Sequence, residues 1–252
     1  MIEHAFKRGL EAGTPQIGLW ISLCSGFAAD AVADVGYDWL LMDMEHAPNE
    51  LPIVLQQLQA ARPYGSTALV RPMWNDAVVV KRLLDLGAPG LLFPMVQTVA
   101  EAEAAVAACR YPTKGMRGVS LTQRGNRFGR DKDYIAQVER ETCVLVQVET
   151  IEAMGRVEEI ASVDGVDGVF FGPADIAASM GKMGQIKDPD LWAEIYGAAR
   201  KVQALGKPVG TLVGGAEQAR EVLSEGFMFV AVGSDLGLLV RSAERLLSDV
   251  RG

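Results

Sequence analysis

Apolar residues gather along this chain in short, nearly continuous runs, rich in Val, Leu, Ile and aromatic side chains, and a longer amphipathic stretch commonly separates one run from the next. Eight such runs stand out, at 17–23, 39–44, 68–71, 90–96, 144–149, 168–172, 208–213 and 229–233. Runs of strand length that are apolar throughout fit a parallel sheet covered on both faces. The stretches at 26–35, 50–61, 76–86, 99–109, 151–160, 190–205, 216–224 and 235–250 read as helices, and Gly or Pro marks many of the joins. Eight β-α units suffice to close a parallel sheet. The pattern therefore predicts an α/β fold, a (β/α)₈ TIM barrel, with 1–252 as one domain.

One stretch breaks the rhythm. Residues 113–133 carry Lys114, Arg117, Arg124, Arg127 and Arg130, spaced by Gly and Asn, without the periodicity of an element. It reads either as a solvated surface loop or as a basic lid or subunit contact over the site. A second insertion, 181–188, is placed to border the same pocket.

Composition narrows the function classes. With 49% hydrophobic residues in 252, the chain can bury a large core as one domain. A net charge of −8 argues against a nucleic-acid surface, where a basic stripe is expected. Cys24, Cys109 and Cys143 are odd in number and far apart, which predicts free thiols in a reducing compartment. The start of the chain is charged where a signal peptide is apolar, and no run reaches membrane-span length, so a cytoplasmic protein is expected.

In such a barrel, chemistry gathers where strands end. Strand two ends in Asp43-Met-Glu-His46, strand three in Arg71, strand five in Gln147-Val-Glu149 and strand six in Gly172-Pro-Ala-Asp175. The other strands end in Ser22, Pro94, Thr211 and Gly233-Ser-Asp235, which are less reactive. Glu149 and Asp175, at the ends of neighbouring strands, read as ligands of a divalent metal, and Gly172-Pro173 leaves open backbone N–H groups beside Asp175. Singly, each acid is as well explained as a helix cap, Arg71 as an ion-pair partner and His46 as a structural residue. Their shared rim favours the chemical reading. A 2-oxo acid offers a carboxylate and a keto oxygen to one metal, Arg71 adds fixed positive charge to the enolate oxygen, and His46 is the acid–base candidate.

No lysine falls at a strand's carboxyl end, so an imine mechanism is disfavoured against a metal enolate. A G-x-S-x-G elbow, a P-loop and a G-x-G-x-x-G fingerprint are all missing from the sequence.

Five runs, in order, then carry a resemblance: Asp43-Met-Glu-His46, Lys81-Arg-Leu-Leu-Asp-Leu-Gly-Ala88, Arg110-Tyr-Pro with Gly115-Met-Arg-Gly118, Gln147-Val-Glu-Thr150 and Phe171-Gly-Pro-Ala-Asp-Ile176. Together they resemble the metal-dependent (class II) 4-hydroxy-2-oxoacid aldolases of the HpcH/HpaI family. The resemblance implies a lyase that reversibly cleaves a 4-hydroxy-2-oxo acid, such as 4-hydroxy-2-oxoheptanedioate or a 2-keto-3-deoxy sugar acid, to pyruvate and an aldehyde with Mg²⁺, Mn²⁺ or Co²⁺. It implies metal binding by Glu149 and Asp175, and pyruvate binding by Gln147 and the backbone at Ala174, beside Gly172. Arg71 is then the enolate stabiliser, and His46 the base for the 4-hydroxyl proton through a water that Asp43 helps to position. Asp85 matches the acid that raises the basicity of the histidine. Topology places Asp85 toward the opposite face, which reach from a neighbouring subunit would reconcile. The family also implies a homohexamer, a trimer of dimers with swapped C-terminal helices, with which the apolar Leu236-Gly-Leu-Leu-Val240 is compatible. Trp20, Leu212, Val213 and the arginine-rich loop are candidates for shaping the aldehyde pocket. Competing readings are a lyase acting on a CoA thioester, a barrel that binds oxo acids without turning them over, and a purely structural barrel.

Overall fold

The computed structural model describes residues 5–252, so His4 lies outside the described residues. Eight parallel strands close into a barrel in chain order. They are β1 (Gln16–Ile21), β2 (Trp39–Asp43), β3 (Thr67–Arg71), β4 (Gly90–Phe93), β5 (Cys143–Val148), β6 (Gly168–Phe171), β7 (Val209–Leu212) and β8 (Phe229–Ser234). Each expected run forms a strand. The run at 90–96 stops at Phe93 because Pro94 has no N–H to give and Met95 takes a left-handed φ of 51°.

Among the described residues twelve helices accompany the strands: α1 (Ala5–Glu11), α2 (Gly26–Ala33), α3 (Leu51–Ala61), α4 (Ala77–Asp85), α5 (Val99–Cys109), α6 (Tyr134–Glu141), α7 (Ile151–Gly155), α8 (Val157–Ala161), α9 (Pro173–Ser179), α10 (Pro189–Ala204), α11 (Ala216–Ser224) and α12 (Asp235–Arg251). Their starts obey local chemistry. Ser25, Asp76, Thr150, Asp188 and Ser234 cap with their side chains, and Thr98 and Glu101 form a reciprocal capping box. The predicted helix at 151–160 is broken at Arg156 into α7 and α8. α1, α6 and α9 were not expected; they lie outside the regular alternation of strand run and long amphipathic stretch.

Strand alternation sorts the core into two layers. Leu40, Met42, Val70, Val144, Val146, Val148, Val169 and Phe171 join the helix-covered outer core. Trp20, Trp39, Leu41, Leu69, Leu92, Leu145, Phe170 and Phe229 fill the barrel interior, and Phe6 and Leu10 of α1 join them. The interior is an aromatic stack: Phe6 lies edge-on to Trp39 at 5.7 Å and to Phe229 at 5.8 Å, and Trp20 meets Phe170 at 5.4 Å. Gly18 makes room for it, because a Cβ there would sit 2.2 Å from the Trp39 ring.

The segment between α5 and α6 leads into the N-terminal end of β5, so it lies at the end of the barrel opposite the strands' carboxyl termini. The expectation that 113–133 covers its own chain's catalytic rim is therefore corrected. Arg117 is buried there, between the Tyr111 ring at 4.6 Å and the Tyr134 ring at 5.8 Å. α12 meets the barrel only near its start: Asp235 accepts from the backbone N–H groups of Ser22 (2.7 Å) and Leu23 (3.2 Å). Beyond Asp235 no residue of α12 is buried, and Leu236, Leu238, Leu239, Val240, Leu246, Leu247 and Val250 are exposed.

Gly18→Ala tests the packing of the interior. The new methyl must displace the Trp39 indole from its aromatic neighbours, which should lower unfolding stability by about 1–3 kcal/mol or more. An unchanged denaturant midpoint would show that the interior yields more readily than this packing allows.

Candidate active site

The inward positions of successive strands are apolar through the barrel and turn polar in the last layer. In β2 the inward face runs Trp39, Leu41, Asp43; in β5 it runs Cys143 and Leu145 to Gln147, with Glu149 just beyond. In β3 Leu69 is followed by Arg71, and the β2–β3 register places Asp43 opposite Arg71. One further step of the alternation that fills the core thus delivers the polar groups to one spot.

Arg71 is the centre of that spot. Its Nε donates to Asp43 Oδ1 and its Nη2 to Asp43 Oδ2, both at 2.8 Å, its Nη1 lies 2.8 Å from Glu45 Oε2, and the guanidinium stands 5.4 Å over the Trp20 ring. Burial works against its charge, but the Asp43 carboxylate outweighs burial and raises its pKa. Asp43 also accepts from the backbone N–H groups of Glu45 (3.0 Å) and His46 (3.4 Å), so one carboxylate holds both the arginine and the turn bearing the histidine. Buried Asn49 donates to the Asp43 carbonyl at 2.7 Å, and Gln57 donates to Asn49 at 3.0 Å, bracing the same turn. The His46 side chain is 66% exposed at the mouth, its Nε2 3.8 Å from Glu45 Oε2.

Across the pocket stand Gln147 and Glu149, each 2% exposed. Glu149 accepts from the Met95 N–H at 2.9 Å and from the Gln147 amide. The left-handed turn at Met95 is what aims that N–H inward. Gly172 is required beside them, since a Cβ there would lie 2.6 Å from Glu149 Oε1. Asp175 and Ala174 are exposed in the first turn of α9, after Pro173 at its first position. Burial raises the Glu149 carboxyl to about 7, with the charges of Glu45 and Asp175 adding to the shift. Glu45 is also raised by burial, partly offset by Arg71 and His46.

The charge balance tests whether a cation fits. Four carboxyl groups, those of Asp43, Glu45, Glu149 and Asp175, gather around one cation, Arg71, which Asp43 and Glu45 already engage. Gln147 Oε1 is buried with no hydrogen-bond partner. Among the described residues there is no group of three or more His, Cys, Asp or Glu that could hold a metal ion. The donors are thus two carboxylates, Glu149 and Asp175, with an amide oxygen beside them. Such an oxygen-only, partly open set fits Mg²⁺ or Mn²⁺, which keep water and substrate in their coordination spheres.

The structure brings Asp43, His46, Arg71, Gln147, Glu149, Gly172, Ala174 and Asp175 to the same end of the barrel. It does not bring Asp85, which ends α4 at the opposite end and accepts from Arg117 Nη2 at 2.9 Å. This is the opposite face on which topology places Asp85, and the geometry does not bring it beside His46 of the same chain. The 181–188 insertion is tied to α10, with Lys182 2.7 Å from both Asp188 and Asp190 and Trp192 donating to the Ile186 carbonyl. Trp20 lies beneath Arg71, and Leu212 packs on the interior aromatics. Sequence reasoning missed Glu45, although it stands inside the Asp43-Met-Glu-His46 run. Its spacing of two from Asp43 was the available signal, because that spacing returns a side chain to the same face of extended chain.

Comparison with known proteins supplies the family. The chain is 51% identical over 246 residues to a 4-hydroxy-2-oxo-heptane-1,7-dioate aldolase of Klebsiella pneumoniae, covering 97% of this chain and 93% of that one. It is 50% identical to the protein of the same name from Salmonella paratyphi B, over 97% of this chain and 94% of that one. The crystal structure of a HpcH/HpaI aldolase/citrate lyase family protein from Burkholderia cenocepacia superposes with a TM-score of 0.95 at 38% identity, covering 99% of this chain and 100% of that chain. With the family model matching residues 16–242, the span that holds the closed barrel and the groups at its mouth, the chain belongs to the HpcH/HpaI aldolase/citrate lyase family.

Proposed function

We propose that this protein is a metal-dependent pyruvate aldolase that cleaves 4-hydroxy-2-oxoheptanedioate reversibly to pyruvate and the four-carbon semialdehyde of succinic acid. The observation that carries the reading is the buried Arg71 facing an acidic, oxygen-only pocket, in a chain about half identical to aldolases named for that substrate. The location of the arginine-rich loop counts against a CoA-ester lyase, because its charges lie at the other end of the chain's own barrel.

Glu149 and Asp175 would hold the divalent ion, Mg²⁺, Mn²⁺ or Co²⁺, and bound there it supplies Lewis-acid charge to the 2-oxo group. Gln147 and the backbone N–H groups at Ala174 and Asp175 orient the pyruvate half, with Gly172 keeping the space open. His46 takes the 4-hydroxyl proton. The C3–C4 bond then breaks, its electron pair passes into the pyruvate enolate, and the Arg71 guanidinium faces the enolate oxygen. Protonation at C3 releases pyruvate. Asp43 acts by position, fixing Arg71 and the backbone of His46 together. Glu45 clamps the other side of Arg71.

We infer a homo-oligomer, which the exposed apolar residues of α12 support; the hexamer, a trimer of dimers, is what the family resemblance implies. Asp85 is assigned a role only across a subunit boundary; there Arg117 would pin it while its side chain stays 26% exposed. The reading treats 1–252 as one domain. No helix among the described residues is long and apolar enough to cross a membrane, and the three cysteines are free, in keeping with a cytoplasmic setting.

Pyruvate release from 4-hydroxy-2-oxoheptanedioate, before and after chelation, checks the metal. Activity should vanish on stripping and return with Mg²⁺, Mn²⁺ or Co²⁺; undiminished turnover by the stripped protein would overturn the mechanism. Arg71→Ala should lower kcat by about 10²–10³-fold, as loss of an oxyanion donor does, with metal binding retained. Near-normal kcat would remove Arg71 from the enolate role.

The raised Glu149 carboxyl gives a pH dependence of stability. In metal-free protein it holds its proton up to about 7, whereas its ordinary value is 4.5. Between those values the native state binds more protons than the unfolded chain, so this group makes stability fall as pH rises from about 4.5 to 7. Glu149→Gln should abolish that fall, leaving the stripped variant a few kcal/mol more stable than the parent at pH 8 and equal to it near pH 4. Urea midpoints across this range decide it, and a parent without the fall would refute the buried-acid reading. Metal affinity should rise over the same window as the proton leaves.

A further inference from the structure

A broad cavity of about 850 Å³ opens at the end of the barrel opposite the acidic pocket. It is walled by the C-terminal end of α3, the approaches to β3 and β4, and the 124–131 part of the loop before α6. That volume suits a small organic ligand. Among the described residues, Arg62, Arg124, Arg127 and Arg130 line it with one acid, Asp131. In a chain of net charge −8, this is a local reversal of sign.

Structural duties account for part of the charge. Arg62 follows the last residue of α3, and Arg124 donates at 2.5 Å to the carbonyl of Leu86, the residue that caps the C-terminus of α4. Cations answer the partial negative charge, roughly half a unit each, at two helix C-termini. Among the described lining residues, those ends and Asp131 leave an excess of roughly two positive charges. The arginine ion pairs among the described residues involve Arg71, Arg110, Arg117, Arg140, Arg200 and Arg245, and none of the cavity's four. Arg124 is half-buried, and burial and the charge of Arg62 both push its pKa down. The pair therefore repels, and an anion would relieve it.

The wall is also built rather than loose. Buried Asn126 accepts from the N–H groups of Gln123 (3.1 Å) and Gly129 (2.9 Å) and donates to the Leu121 carbonyl (3.0 Å). Arg127 and Phe128 hold left-handed φ values of 55° and 59°, a conformation costly for residues with side chains. Gly87, itself at φ 88°, makes space for Arg124, whose Nη1 would lie 3.2 Å from a Cβ there. These bonds fix three arginine-bearing positions on one side, facing Arg62.

We propose that this cavity binds a small oxyanion ligand, a phosphate- or carboxylate-bearing molecule, gripped by Arg62 and Arg124 at its wall and by Arg127 and Arg130 from the loop. Guanidinium forks match both oxyanions bidentately. The assignment does not depend on the aldolase reading, because no residue of the acidic pocket takes part.

Calorimetric titration of the metal-loaded protein at fixed ionic strength, with inorganic phosphate and separately with succinate, tests it. Saturable binding of at least one probe is expected, and the tighter of the two identifies the chemistry. Binding should persist in Asp175→Asn and weaken about tenfold or more in Arg62→Gln/Arg124→Gln. The exposed pair Arg127→Gln/Arg130→Gln leaves the helix-end contacts intact and should weaken it as well. The proposal is overturned if neither probe binds, if both double variants bind like the parent, or if Asp175→Asn alone abolishes binding. It is equally overturned if neither probe binds and the double variants change the sedimentation mass, since the arginines would then meet another copy of the chain.

Discussion

The molecule depends on the two-residue alternation of its strands, carried in register around a closed barrel. Because Asp43 follows Trp39 and Leu41 on the inward face, and Arg71 follows Leu69, the β2–β3 register brings acid and base opposite each other without further design. The pairing is bidentate and almost wholly buried. Burying such a pair in a protein interior brings little net stability, since desolvation cancels much of the attraction. Its return is positional. The guanidinium cannot rotate away from the pocket, Trp20 supports it from below, and the turn bearing Glu45 and His46 hangs from the same carboxylate.

Carboxylates outnumber cations in that pocket, and this imbalance connects fold to chemistry. An unaccompanied buried acid either takes a proton or waits for a cation. Glu149 shows the first behaviour in its raised pKa, despite the Met95 N–H and Gln147 amide that favour its charge. On the proposed function, a divalent ion held there would replace that proton and answer the excess of carboxylates. The required openness comes from backbone choices: Gly172 withholds a side chain where Glu149 must stand, and Met95 accepts an unfavourable φ to direct its N–H.

The strands and long helices were legible in the sequence because burial on both faces writes continuous apolar runs and amphipathic stretches. α1, α6 and α9 were not, since they stand outside the alternation of apolar run and long amphipathic stretch: α1 before the first strand, and α6 and α9 beside the irregular stretches at 113–133 and 181–188. Glu149, Asp175, Arg71 and His46 were readable as strand-end residues, a placement that topology alone supplies. Glu45 was overlooked although its neighbours were weighed, because its role arises from the geometry of a turn held by Asp43, Asn49 and Gln57, residues up to fourteen positions apart in the chain. The arginine-rich loop was visible as charge but not as place. Its end of the barrel follows from counting elements, and the unrecognised α6 hid that it leads into a strand's N-terminus.

The same connectivity separates the two ends of the barrel by task. Loops after strands carry reactive groups, while the segments before strands carry Arg117 between two tyrosines and the wall of the arginine-lined cavity. Asp85 belongs to the second set. Its carboxylate is tied to Arg117, and Arg117 to the Tyr134 hydroxyl at 3.0 Å, so moving it toward its own chain's His46 would leave a buried guanidinium uncompensated. Only a second molecule, bringing its mouth to this end, could place a histidine near that acid without breaking the pair. Exposed Met116, Val119 and Leu121 on the adjoining loop give that end the apolar surface such a contact would need.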